Sequence, residues 1–179
     1  MKRRSILALG LLVVTLAANA FAATPDKDGW YHTGDAVRVK SIAFISVKVY
    51  GIGHDMKCVP PQKSKQAVIE ADCDKRFVWT MKRDVDRQKI IDALKEAYAM
   101  NGYTDGGKIG QAVGAFTAEL KEGKRVTVSY DAAKKTTTFS EEGGGTATIA
   151  GADFMKGTWS IWLGKIDPPS LGDALIANL

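Results

Sequence analysis

The chain has 179 residues, 45% of them hydrophobic, which is enough for one sizeable core and calls for no second one, so a single domain is expected. Its formal charge of +5 owes three units to Lys2, Arg3 and Arg4; without them it is +2. No dense Lys/Arg stripe is left to bind nucleic acid, and that class of function is excluded.

In chain order, residues 1–22 read as a secretory signal: a basic start, an apolar run from Ile6 to Leu16, and Ala20-Phe21-Ala22 as a small-x-small cleavage site. The run is too short for a stable membrane span, and no cysteine follows the cleavage site to accept a lipid anchor. The expected product is a soluble periplasmic or secreted domain, residues 23–179, with no stable membrane anchor. Ala23 to Asp28 is polar and carries Pro25, so it reads as a flexible lead-in, with order beginning near Trp30.

The stretch VRVKSIAFISVKVYGIG, Val37 to Gly53, is the longest β-favouring run, with Gly51 and Gly53 read as its end. Arg38 and Tyr50 are the polar groups it leaves to explain. In one continuous strand they would lie roughly 40 Å apart at about 3.3 Å per residue. A shared site therefore requires a reversal between them, expected around Lys40-Ser41. Arg38 could otherwise be a solvent-facing strand residue or pair with Asp35, and Tyr50 an ordinary core residue.

Gly53 to Lys65, with Pro60-Pro61, reads as a loop, Ala67 to Ala71 as a short strand, and Phe77 to Met81 as a stronger one. The two cysteines, Cys58 and Cys73, are expected to pair in an oxidising compartment; the alternative is two buried free thiols. His32 and His54 have no ligand spacing to each other or to the cysteines, so no metal is expected. Nor is a cofactor, since nucleophile-elbow, phosphate-loop and zinc-helix patterns are missing.

Asp84 or Asp86 then caps a helix whose Ile90, Ile91, Leu94, Ala97 and Tyr98 share one face, ending at Asn101-Gly102. Ile109, Val113, Phe116 and Leu120 predict a second helix ending before Gly123. Val126, Val128 and Tyr130 alternate with polar residues, Thr136 to Phe139 returns as a hairpin, and Thr146 to Ala150 adds a strand. A third helix holds Phe154, Trp159, Ile161 and Trp162, where core packing is the better explanation of the aromatics. Asp167-Pro168-Pro169 ends it, and Ser170 to Leu179 reads as a last helix capped by Ser170. This order of elements predicts an α+β fold with a mainly antiparallel sheet.

Taken together, VRVKSIAFISVKVYGIG, FVWTMKRDVDRQKIIDALKEA and GADFMKGTWSIWLGKIDPPS, in this order, resemble the chalcone isomerase-like family from about Trp30 to the C-terminus. The resemblance implies an open-faced β-sandwich, a large antiparallel sheet covered by helices on one face, with a ligand cleft between them. Family members include plant enzymes that cyclise chalcones, non-catalytic fatty-acid-binding proteins and exported bacterial proteins. By the resemblance, Arg38 faces the ligand, Tyr50 stands where the enzymes carry a threonine, and Ser160 where they carry a substrate-contacting serine or threonine. Asp86 and Ala93 stand where the enzymes use a tyrosine and an asparagine, and His54-Asp55 replaces an apolar residue and a tyrosine at the cleft rim.

A guanidinium suits the family position because it stays charged in an apolar cleft and offers a planar fork of donors to a carboxylate. The expected function is therefore an exported, non-catalytic binding protein for a fatty-acid-like or other small acidic apolar ligand. The ligand-binding residues expected are Arg38, Tyr50 and Ser160, with no catalytic ones. The alternatives are an isomerase of the chalcone isomerase type, with Arg38 stabilising an oxyanion, and an interaction module with a closed core.

Overall fold

A computed structural model describes residues 24–42 and 44–179; the leader read from the sequence lies outside them. Six strands form one sheet: β1 (Tyr31–Ile42), β2 (Ile45–Met56), β3 (Lys75–Met81), β4 (Arg125–Asp131), β5 (Thr136–Glu141) and β6 (Thr146–Ala150). Their order in the sheet is their order in the chain, and every neighbouring pair is antiparallel. Five helices are inserted: α1 (Lys65–Glu70), α2 (Arg87–Met100), α3 (Gly106–Val113), α4 (Ala152–Leu163) and α5 (Ser170–Ala174).

The period of two decides which face the helices cover. Ile52, His54 and Met56 of β2 stand opposite Trp79, Phe77 and Lys75 of β3, which stand opposite Val126, Val128 and Tyr130 of β4, and all nine are buried. The other face carries Gly51, Gly53, Thr80, Thr127 and Ser129, small or polar, and no helix among the described residues. On the covered face α4 is the central helix. It buries Phe154, Met155, Thr158, Trp159, Ile161, Trp162 and Leu163 and packs against α1, α2, α5 and β5. Each such large side chain taken out of water stabilises by roughly 1.5–3 kcal/mol. The result is the α+β, one-face-covered antiparallel sheet that the sequence predicts.

Four local expectations are corrected. Ala67 to Ala71 is no strand: Ser64 caps α1 by accepting from Ala67 N at 3.1 Å, and one turn and a half is too short for its Val68 and Ile69 to show a helical period. β2 does not stop at Gly51 or Gly53 but runs to Met56. A Cβ at Gly53 would meet Asp35 Oδ1 at 2.8 Å on the open face, a contact that the exposed Asp35 side chain can relieve by moving. The second helix is short, because after Gly114 the chain turns and Leu120 forms an antiparallel bridge to Val85. The last helix, α5, begins after Pro169 with no side-chain cap from Ser170, and it is only five residues long.

The two cysteines form the expected disulfide, Cys58 to Cys73, which ties the end of β2 to the start of β3 across α1. Among the described residues, no helix is long and apolar enough to cross a membrane.

Candidate functional site

Arg38 of β1 stands directly opposite Tyr50 of β2 in the antiparallel register. The required reversal therefore exists, but not at Lys40-Ser41: those residues still pair with Val47 and Ser46, and the strands close only between Ile42 and Ile45. Next to the pair the register slips, from Arg38↔Tyr50 to Val39↔Lys48, so Val49 is an extra residue in β2. Such a bulge re-phases the strands beyond it. Val47 is thereby turned to the same side of the ribbon as Tyr50, where it meets its partner Lys40, which shares that side with Arg38 by the ordinary period of two.

On that side a cleft with two lobes opens between the ribbon and α2. An aromatic lobe of about 150 Å³ is walled by Tyr50, Trp79, Leu94, Met100, Ile161 and Trp162. A valine lobe of about 410 Å³ is walled by Val47, Val49 and Val85, with exposed Arg83, Asp84, Asp86 and Lys89 at its mouth. Arg38, Lys40, Tyr50, Ile90 and Ala93 border both lobes. The valine lobe alone reaches the roughly 300–1,000 Å³ of ordinary small-molecule sites.

The polar groups at the junction have capacity to spare. Arg38 is half-buried; its Nη1 donates to the backbone carbonyl of Asp167 and, at 3.5 Å, to that of Val39. No carboxylate pairs with it among the described residues, and Asp35 is bound to His32 instead. The other guanidinium nitrogens are left for a ligand. Tyr50 Oη accepts from Trp162 Nε1 at 3.1 Å, which fixes the oxygen and leaves its own proton uncommitted among the described residues. Burial raises the Tyr50 phenol above its usual pKa, against the smaller opposing effects of Trp162 and Arg38, so at neutral pH it is a donor. Tyr50 also stacks on Trp79 at 5.1 Å, and Trp79 Nε1 is buried with no partner among the described residues. A buried donor left unmet costs about 1–3 kcal/mol.

The structure does not bring Ser160 to this pair. Its Oγ donates to Lys156 O at 2.8 Å, and it borders a separate hollow with Asn101, Tyr103 and Asp153. On α4 its neighbours Trp159 and Trp162 face the sheet, while Ser160 faces α1 and the end of α2. Of the positions where the family enzymes carry relay residues, Ala93 offers the cleft a methyl group, and Asp86 caps α2 by accepting from Lys89 N at 3.2 Å.

His54 is not at a cleft rim. It is fully buried on the covered face, accepts from Trp159 Nε1 at 2.9 Å through Nε2, and so carries its proton on Nδ1, donated to Thr33 Oγ1 at 2.6 Å. Thr33, the extra residue of a second bulge, passes the chain on to Leu175 O at 2.7 Å. Burial first, then the charge of Lys75, pushes His54 down to about 3. Lys75, also buried, donates to Val68 O and Ile69 O at 2.7 and 3.0 Å, lies over the Trp159 ring, and is pulled down to about 7 by burial despite Asp72 and Glu70. Neither group reaches the cleft; both hold α1, α4 and α5 on the sheet. Among the described residues, no cluster of three or more His, Cys, Asp or Glu could hold a metal ion.

Compared with known proteins, residues 33–170 match the family described as chalcone isomerase-like. Among solved structures the chain is similar to a fatty-acid binding protein of Arabidopsis thaliana. The TM-score is 0.68 at 14% identity, covering 86% of this chain and 90% of that one. No curated protein matches.

Proposed function

The chain belongs to the chalcone isomerase-like family, and on that premise we propose that it is an exported, non-catalytic binding protein for a fatty-acid-like ligand. Arg38 holds the ligand's carboxylate through its free guanidinium nitrogens, and Tyr50 donates a second hydrogen bond from the facing strand. The apolar chain lies along the walls between sheet and α2. An oxygen reaching the aromatic lobe would also meet the unpartnered N–H of Trp79.

One observation carries this reading: an unpaired guanidinium and an uncommitted phenol proton face each other at the junction of two apolar-walled lobes. A carboxylate is the ligand such a fork suits best. The solved relative being a fatty-acid binding protein supports the same choice of ligand. Against isomerase chemistry stands the methyl of Ala93, which borders both lobes beside Arg38 and has no proton to relay to a substrate held there.

Native mass spectrometry and lipid extraction of the purified mature protein test it, followed by titration with a saturated fatty acid. A one-to-one complex that disappears in Arg38→Ala is expected. Absence of any bound or titratable fatty acid, or undiminished binding in Arg38→Ala, would sink the proposal.

A further inference from the structure

Beyond Tyr50 the first two strands leave the sheet. β3 pairs with β2 only from Tyr50 to Met56, with one more bond from Lys82 N to Val49 O. The segments from Val39 and up to Lys48 pair only with each other. At about 3.3 Å per residue this two-stranded ribbon extends on the order of 13 Å past its last sheet neighbour.

Its end is apolar and bare. Phe44 is fully exposed, Ile45 is 68% exposed, and Val37 at the ribbon's root is 44% exposed. Residues 39–49 contain Lys40 and Lys48 and no acidic residue. Both lysines are exposed and in no ion pair among the described residues. A lone two-stranded hairpin is marginal in water, and a bare aromatic at its turn adds nothing to the fold. The pattern suits a water–lipid boundary, where apolar tips enter the acyl region and lysine stems carry ammonium groups back to phosphates. A second copy docking tip to tip would set lysines against lysines, which argues against that occupant.

We propose that the β1–β2 hairpin tip docks the protein on a bilayer bearing anionic headgroups, with Phe44 and Ile45 in the interfacial layer and Lys40 and Lys48 at the phosphates. The same two strands carry Arg38 and Tyr50, so docking brings the cleft mouth to the lipid surface. That last consequence rests on the fatty-acid reading; the docking does not.

Sedimentation of the mature protein with vesicles tests it, using phosphatidylcholine with about one third phosphatidylglycerol against pure phosphatidylcholine. Binding to the anionic vesicles only, weakened by salt, is expected, with a loss of roughly tenfold or more in Phe44→Ser/Ile45→Ser and a smaller loss in Lys48→Glu. Circular dichroism and fatty-acid titration unchanged in these variants show that fold and cleft are intact. Arg38→Ala should still bind vesicles, which separates failure of the cleft reading from failure of this one. Equal sedimentation of wild type and the double serine variant overturns the proposal. So does a concentration-dependent dimer, without vesicle binding, that the serine changes abolish, since it assigns the tip to a second copy.

Discussion

Trp159 donates its indole N–H to Nε2 of His54 across 2.9 Å, joining the central helix α4 to strand β2 inside the core. The bond requires a neutral imidazole. His54 is held down to about 3 in the fold by burial, whereas an unfolded chain protonates it near 6.5. Its folded pKa being depressed, the stability it secures is full above about 6.5 and is lost as pH falls toward 3, up to about 5 kcal/mol. Urea midpoints measured from neutral to acid pH should fall more steeply in the wild type than in His54→Gln, which keeps an acceptor for Trp159 and a donor for Thr33 but does not titrate.

At the cleft, the two residues facing across β1 and β2 should fail differently. Arg38→Lys keeps the charge and loses the fork, so fatty-acid affinity should fall roughly tenfold. Tyr50→Phe removes one neutral hydrogen bond, worth about 0.5–1.5 kcal/mol of affinity, and strands the Trp162 N–H at a cost of about 1–3 kcal/mol in stability. Calorimetric titration paired with denaturation separates the two effects.

Ala93 borders both lobes, whereas Ser160 borders neither. Ala93→Leu should block the junction and reduce fatty-acid binding by an order of magnitude or more while leaving the fold intact. Ser160→Ala should leave the titration unchanged. Equal effects of the two substitutions would place the ligand elsewhere.

The Cys58–Cys73 disulfide closes a loop with a sequence separation of 15, and links of that span stabilise by about 3 kcal/mol. Denaturation with and without reductant, or of Cys58→Ser/Cys73→Ser, should show a loss of that order. The loss should be seen first in hydrogen exchange of α1, which lies inside the loop.

Strands with one wet face announced themselves, because Val126, Val128 and Tyr130 alternate with polar neighbours and the sheet buries every second residue. The same parity placed His54 with Tyr50, Ile52 and Met56, so its burial was legible, though the family resemblance set it at the cleft rim. The turn was legible too, since two residues that face each other in an antiparallel pair must lie symmetrically about their reversal. The Val49 bulge was not, because nothing in a run of alternating valines marks which one is extra. Phe116 and Leu120 mimicked a helix because both are buried at helical spacing, yet a turn and the Val85 bridge put them there. Ser160 was assigned by the family resemblance alone; on α4 it lies on a different side from Ile161 and Trp162, which wall the cleft, and borders a separate hollow.

The helix that closes the core, α4, is made almost last, after all six strands. Until residues 152–163 are delivered, Phe77, Trp79 and Phe139 lack the rings of Trp159, Trp162 and Phe154 that pack on them, and the chain-order topology offers each hairpin only local pairing. In a chain built in this order the core closes late, when the indole of Trp159 reaches His54 on a strand made about a hundred residues earlier.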